Sequence, residues 1–590
     1  MTTLPRPEHP RPQLVRERWL NLNGEWQFEI DRGDSGLERG LLERDLAQTI
    51  LVPYAPESVA SGIGDTDFLH AVWYRRTVEI PWDGEVLLHF GAVDHDATVW
   101  VDGVEVARHR GGFTPFSADL GTRRQGQGIT IVVRARDLPQ GPQARGKQSV
   151  AYANATCLYT RTTGIWQTVW LEAVPADRIE SLRITPRPSA FEVETVLRRT
   201  RPGLRLSFTL SDADGVVATA TAGADDELAP AARLVVPEDR RRLWQPGHPH
   251  LYDFRVSLHD TDDNEVDRVG SYAGLRSISI AGAAILINGE RVFQRLVLDQ
   301  GLWPDTLMTA PSDAALEEDI RLSMAAGFNG ARLHQKVFEE RFLYHADRLG
   351  YLVWGEFGDW GAAQSTVDGD PQQPTASYVT QWVEAVQRDR NHPSIVGWCP
   401  LNETWQALHD RITQLDDVTR AMYLATKAAD PTRPVLDASG YSHQVPGADV
   451  YDSHLYEQDP VEFHRILAGK AYVNEHDGRT ISLPYAGQPY FVSEYGGIWW
   501  NAGRVEDADD PDRLSSWGYG QRVRDLEEWF TRFAGLTDVL LDDPRMFGYC
   551  YTQLTDTFQE QNGVYDARRR PKFDIGRLRA VQSRPAAFEE

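Results

Sequence analysis

The chain has 590 residues, with 61 Lys plus Arg against 86 Asp plus Glu, a formal net charge of −25. That length excludes a single small module, and the acidic excess disfavours wholesale binding to nucleic acid or to an anionic membrane surface, since it repels phosphate. With 41% hydrophobic and 25% charged residues, the composition excludes collagen-like, low-complexity and broadly disordered chains.

The N-terminus, Met1-Thr2-Thr3-Leu4-Pro5-Arg6-Pro7, leads into charged residues without an apolar run, and no stretch of about 18 apolar residues follows anywhere. The expectation is therefore a cytoplasmic protein that does not enter a membrane. Residues 13 to 177 read as many short strands. Examples are Trp26-Gln27-Phe28-Glu29-Ile30, Trp73 to Ile80, Val86 to Phe90 and Ala97 to Val101. The last of these meets Asp102-Gly103, a dipeptide suited to a tight hairpin turn, before Val104-Glu105-Val106 resumes the alternation. This spacing predicts a jelly roll or sandwich over 1–177. Residues 178–280 repeat the pattern on a smaller scale, with strands at Arg205 to Leu210 and Tyr252 to Leu258, as one immunoglobulin-like β-sandwich would.

After residue 280 the pattern changes. Helical stretches at Ala314 to Ala326 and Glu339 to Leu349 alternate with apolar runs such as Tyr351 to Trp354 and Ile395 to Trp398. Alternation of this kind over about 300 residues predicts a C-terminal (β/α)8 TIM barrel over 281–590, with its site at the C-terminal ends of the strands. Only Cys157, Cys399 and Cys550 occur, with no CxxC or Cys/His cluster, so neither a disulfide framework nor a structural zinc site is indicated. Eighteen Trp, 21 Tyr and 21 Phe suit the faces of sugar rings, and suit large cores equally well.

Two acids stand just after apolar runs of the barrel. Glu403 follows Ile395 to Asn402, and Glu494 follows Tyr490-Phe491-Val492-Ser493. Two facing carboxylates are what retaining glycoside hydrolysis requires, one attacking the anomeric carbon and the other first protonating the leaving oxygen and then activating water. Taken singly, either Glu is equally a surface acid or a salt-bridge partner.

The flanking sequences resemble glycoside hydrolase family 2, the family of β-galactosidases, β-glucuronidases and β-mannosidases, over essentially the whole length. The stretch Trp19-Leu20-Asn21-Leu22-Asn23-Gly24-Glu25-Trp26 resembles the start of its sugar-binding jelly roll, and Gly164 to Leu171 that domain's final strand. Leu243-Trp244-Gln245-Pro246 with Leu251-Tyr252 resembles the end of its middle sandwich, and Leu286-Ile287-Asn288-Gly289-Glu290 the start of its barrel. Arg388-Asp389-Arg390-Asn391-His392-Pro393-Ser394 leading into Asn402-Glu403 is similar to the acid/base signature, and Ser493-Glu494-Tyr495-Gly496 to the nucleophile signature. The resemblance implies that Glu494 is the nucleophile, Glu403 the general acid/base, Asn402 the partner of the sugar 2-hydroxyl and Arg332 the guanidinium under the nucleophile. It also implies that Tyr456 orients Glu494, while His454 is either a mouth residue or a packed histidine.

Departures from the family pattern concern the sugar. Glucuronidases of the family carry Asn-x-Lys ahead of the final barrel segment to grip the sugar carboxylate; here that stretch reads Glu560-Gln561-Asn562, which disfavours a glucuronide. The usual Arg-x-Ser-His reads Arg332-Leu333-His334-Gln335, and the strand-eight Trp is Thr552. Phe357-Gly358-Asp359-Trp360 does not reproduce the magnesium ligands of the large β-galactosidases, so neither a metal nor a cofactor is expected. Asp299, Gln300, Lys336, Asp359, Trp360, Trp499, Trp500 and Asn501 follow strand-like runs and are expected to line the pocket or to pack beside it. The expected activity is that of a retaining exo-glycosidase removing a terminal sugar, first of all a β-galactoside. The alternatives are a furanoside (β-galactofuranoside or α-L-arabinofuranoside) and a catalytically inactive carbohydrate-binding protein. The expected partner is an oligosaccharide or glycoside substrate, with a homo-oligomer left open.

Overall fold

The computed structural model describes residues 4–139, 141–360, 374–404, 408, 410–469, 475–476, 479–501 and 516–590. Alternation of side chains along the N-terminal strands decides the first unit. In Gly24–Ile30 the side chains of Trp26 and Phe28 are buried while Glu25 is exposed, as a strand with one face on a core requires. Six strands assemble in the order 48–52, 24–30, 71–79, 128–136, 96–101, 104–110, facing a four-stranded sheet of 19–21, 169–174, 84–90 and 116–123. Trp26, Tyr74, Leu88, Phe90, Val99, Ile131 and Leu171 fill the space between. The hairpin turn expected at Asp102-Gly103 is present, with φ of 52° and 79°. Both values are positive, as the turn that matches strand twist demands.

The middle unit pairs a three-stranded sheet (179–187, 190–197, 231–235) with a four-stranded one (215–223, 205–212, 252–259, 265–273). Phe191, Leu206, Phe208, Phe254 and Val256 pack between the two.

Seven parallel strands then form the barrel wall: β1 (Gln294–Asp299), β2 (Gly330–Leu333), β3 (Leu352–Glu356), β4 (Ile395–Cys399), β5 (Tyr451–Leu455), β6 (Tyr490–Gly496) and β7 (Met546–Thr552). They are ordered β4-β3-β2-β1-β7-β6-β5. Helices between them are stopped and started by ordinary caps. Ser312 caps Asp313–Ala325, a capping box of Thr413 and Asp416 starts Gln414–Ala429, and Gly350 in the left-handed region ends Glu340–Leu349. The eighth stave is the segment 434–439, which bonds to β4 through Trp398 N to Pro434 O (3.1 Å), Leu436 N to Trp398 O (3.0 Å) and Ser439 N to Leu401 O (2.8 Å). It is not a regular strand on its other edge. There Asp437 accepts the N–H groups of Ala438, Gln444 and Val445, so the contact to β5 is made by side chains. The jelly roll, immunoglobulin-like sandwich and TIM barrel read from the sequence are the architecture observed.

The side-chain seam centres on His443, buried between Asp437 (Nδ1 to Oδ1, 2.8 Å) and Asp452 of β5 (Nε2 to Oδ1, 3.2 Å). Burial alone lowers its pKa, but the charge and hydrogen bonds of Asp437 and then of Asp452 outweigh it and raise it to about 10. A group raised in the folded state stabilises most below its unfolded pKa of about 6.5, and that contribution is lost as pH rises through about 10. His443→Phe, which strands two buried carboxylates, is expected to destabilise the protein by about 3 kcal/mol at pH 6. The deficit should shrink toward pH 10; urea denaturation at the two pH values measures it, and an equal deficit at both would contradict the seam's ionic character.

Candidate active site

Every barrel strand from β2 to β7 sends polar side chains to one end. Arg332 lies in β2, with His334 and Gln335 just after it; Glu356 ends β3, Asn402 and Glu403 follow β4, and His454 lies in β5 with Tyr456 just beyond. Glu494 lies in β6, and Thr552 ends β7. A register shift between β5 and β6 skips one residue, so that His454 stands opposite Glu494. Glu403 is held at φ 50°, a region costly for a side chain with a Cβ. Its N–H is tied to Ser439 O at 2.9 Å on the eighth stave.

Arg332 is fully buried and organises the floor. It donates through Nη2 to Glu494, through Nη1 to Glu356, and from the same Nη1 to Asn402 Oδ1 at 3.0 Å. Glu356 in turn accepts the Gln335 N–H at 2.8 Å. The guanidinium thereby fixes one carboxylate oxygen of Glu494, and the Tyr456 hydroxyl donates to the other. Because Arg332 occupies the Asn402 carbonyl oxygen, the amide nitrogen of Asn402 faces away. It is buried with no partner among the described residues, a donor pair awaiting an acceptor.

Glu403 is held from two sides, by Trp360 Nε1 at 2.7 Å and by His454 Nδ1 at 2.8 Å. His454 also reaches Glu494, with Nε2 at 3.4 Å from Oε1. One oxygen of each Glu and one His454 nitrogen lie within 4.8 Å of one another, an approach compatible with the short carboxyl spacing, about 5 to 5.5 Å, of retaining enzymes. Burial pushes the Glu403 carboxyl upward, but the His454 hydrogen bond and charge, then the charge of Lys147, hold it down at about 2. His454 shifts the other way; burial lowers it, and the charge of Glu494 with the hydrogen bond and charge of Glu403 raise it above its ordinary value. The two opposed shifts favour an ionised Glu403 beside a protonated imidazole, with one proton between the pair. His334 lies 3.2 Å from Glu356 and is kept neutral by burial and by the charges of Lys147, Arg332 and His454.

Residues matching two descriptions, "Glycosyl hydrolases family 2" over 178–276 and "Glycosyl hydrolases family 2, TIM barrel domain" over 279–583, carry these elements. The chain belongs to glycoside hydrolase family 2. A β-glucuronidase of Paenibacillus borealis is 28% identical to it over 461 residues, covering 72% of this chain and 74% of that one. The β-glucuronidase of Sus scrofa is 25% identical over 536 residues, 83% and 79% of the two chains. Among solved structures, a β-galacturonidase of the same family from Eisenbergiella tayi superposes with a TM-score of 0.75 at 19% identity, over 99% of this chain and 100% of that one. The β-glucuronidase of Ruminococcus gnavus gives 0.77 at 18%, over 99% of each chain.

This family 2 hydrolase brings together Glu403, Glu494, Asn402, Arg332, His334, His454, Tyr456 and Trp360, all read from the sequence. Other expected residues point elsewhere. Asp299 accepts the Gly301 N–H at 2.9 Å and is raised to about 7, by burial and then by the neighbouring Asp319, with no bond to either Glu. Lys336 is spent on the carbonyls of Gly301 and Met308. Trp499 donates to Ser516 and Asn501 to Gln561, while Arg522 lies over the Trp500 ring. Asp359 lies behind Asn402, accepting its N–H at 3.2 Å. No sequence motif marks Glu356, which braces Arg332 at the end of β3, or Lys147, which lies in the first sandwich's part of the chain and whose charge acts on Glu403. Among the described residues no helix is long and apolar enough to cross a membrane.

Proposed function

We propose that this glycoside hydrolase removes a terminal non-reducing β-linked sugar with retention, through a glycosyl-enzyme ester on Glu494. The observation that carries this reading is the placement of Glu403 and Glu494 oxygens within 4.8 Å, one residue gripped by Arg332 and Tyr456 in the position of a nucleophile, the other hydrogen-bonded to His454 in the position of a proton carrier. In the first step Glu494 attacks the anomeric carbon while the proton of the Glu403–His454 pair passes from Glu403 to the leaving oxygen. In the second, Glu403 takes a proton from water, which displaces Glu494. The free amide of Asn402 donates to the sugar 2-hydroxyl, a bond that strengthens at the transition state.

The glycone in this reading is a uronic acid. The support is that the relatives named above are β-glucuronidases and a β-galacturonidase, one structure of the latter being described as bound to galacturonate. The β-galactoside expected from the sequence has no counterpart among them. Hydrolysis of 4-nitrophenyl β-D-glucuronide and β-D-galacturonide, beside the matching glucoside and galactoside, tests it; turnover of the neutral pair alone would overturn the uronide assignment.

The shared proton sets the alkaline limb. With His454 present the pair loses its proton above the ordinary histidine value of 6.5; in His454→Asn it rests on Glu403 alone, a carboxyl. The alkaline limb of kcat/KM is expected to move down by at least one pH unit in that variant, and an unmoved limb would place the proton elsewhere.

A further inference from the structure

The lysine that residues 560–562 lack is supplied from another domain. Lys147 belongs to the stretch that follows the long strand Gly128–Arg136 of the first sandwich and crosses the barrel mouth. Its neighbour Gly146 donates N–H to Gly358 O at 2.8 Å, just beyond β3, and Tyr159 N–H donates to Lys147 O at 3.0 Å. A Cβ on Gly146 would lie 2.6 Å from Gln335 O beyond β2, and its φ is +58°, so only glycine permits this approach. At the far end, Gln559 Nε2 donates to Thr156 O (2.6 Å) and Leu158 O (2.9 Å), and Trp517 donates to Thr156 O. The same stretch is thus fastened both to the ends of β2 and β3 and to the loop bearing Glu560 and Asn562.

Lys147 is only 8% exposed. Yet among the described residues its ammonium has no hydrogen bond and no carboxylate oxygen within 4.0 Å. Lysines this deeply buried are otherwise paired. Burial alone lowers its pKa, but the field of Glu560, then of Cys157, Glu494 and Glu403, outweighs that and keeps it charged. Beside it lies a polar niche: Gln300 donates to Gln553 Oε1 (2.6 Å) and Glu560 (3.4 Å), Gln553 donates to Asn562 (2.8 Å), and Asn562 to Glu560 (3.3 Å). Glu560 opposes an incoming anion, but two amides hold it and burial weakens its acidity.

We propose that Lys147, reaching in from the first sandwich, is the residue that recognises the carboxylate of the glycone, in place of the lysine absent from 560–562. The proposal rests on the uronide reading above. It makes the sandwich a contributor to sugar specificity, with Nζ donating to a uronate oxygen.

The test is steady-state kinetics of wild type, Lys147→Met and Lys147→Arg on the two aryl uronides and the two neutral glycosides, with thermal melts to confirm folding. In Lys147→Met, kcat/KM on the uronide is expected to fall roughly 100-fold, mainly through KM, and at least about tenfold more than on the neutral glycosides, whose loss reports only the charge that Lys147 lends to Glu403; Lys147→Arg should recover part of the loss. Inhibition by free glucuronate should weaken in parallel, and inhibition by glucose should not. An equal loss on charged and neutral substrates, or no loss on the uronide, would overturn the role of Lys147 and leave the uronide reading standing. A wild-type enzyme that cleaves only neutral sugars would overturn both.

Discussion

Replacing Glu494 by alanine is expected to lower kcat on an aryl uronide by about 10,000-fold or more, with the fold retained. In the proposed mechanism this carboxylate forms the covalent intermediate, so its loss removes the acceptor of the sugar. Glu403 should behave differently, because its work depends on the leaving group. In Glu403→Ala, a dinitrophenyl uronide, whose leaving group needs no proton, should still transfer its sugar to Glu494 rapidly and then stall, since no base activates water. Added azide, a nucleophile that needs no base, should restore turnover and give the β-glycosyl azide. Azide rescue of Glu494→Ala with the opposite, α, configuration would complete the assignment. If the two variants lose activity equally on substrates of every leaving-group acidity, the division of roles between Glu403 and Glu494 is wrong.

The second large effect is expected at Arg332. Its side chain is fully buried and binds Glu356, Glu494 and Asn402 together, so burial costs it far more hydration than a surface arginine loses. Arg332→Met keeps the volume and removes the guanidinium that lies between the buried carboxyl groups of Glu356 and Glu494. Breaking a buried pair from one side costs about 3 to 5 kcal/mol, and here two acids are stranded, so the upper end applies. Activity should fall with stability, because Glu494 loses the hydrogen-bond donor that fixes one of its oxygens and Asn402 the one that aims its amide. Glu356→Gln, which removes one acid but keeps a hydrogen-bond acceptor, should be milder in both respects. Urea denaturation of the three proteins gives the order; Arg332→Met within 1 kcal/mol of wild type would show that the cluster is not held by its charges.

What could be read from the sequence follows from how local each feature is. The sandwich strands announce themselves by alternation, and the hairpin at Asp102-Gly103 by two residues that tolerate positive φ. Glu403 and Glu494 were legible because a parallel barrel delivers whatever follows each apolar strand to one rim, and their neighbours match family signatures. Asp299 fits the same rule and yet turns to its own loop, since a residue at a strand end can face inward or back toward the next turn and the sequence does not say which. The eighth stave, 434–439, gave no strand signal because Pro434 and Asp437 break the ladder, and its closure is left to His443 and Asp452 at a distance. Lys147 was invisible for a different reason. It precedes the barrel by about 150 residues, and only the tertiary docking of the first sandwich shows that its charge faces Glu560, Glu494 and Glu403.

The proposed mechanism requires a covalent sugar on Glu494. It is tested most directly by incubating the wild-type enzyme with a 2-deoxy-2-fluoro-β-glucuronyl fluoride, whose fluorine slows the second step, and sequencing the labelled peptide by mass spectrometry. One added fluoro-uronyl group is expected, on the peptide containing Ser493-Glu494-Tyr495 and at Glu494. A label on Glu403 or another carboxylate, or steady turnover of the reagent to product of inverted configuration with no label at all, would contradict it.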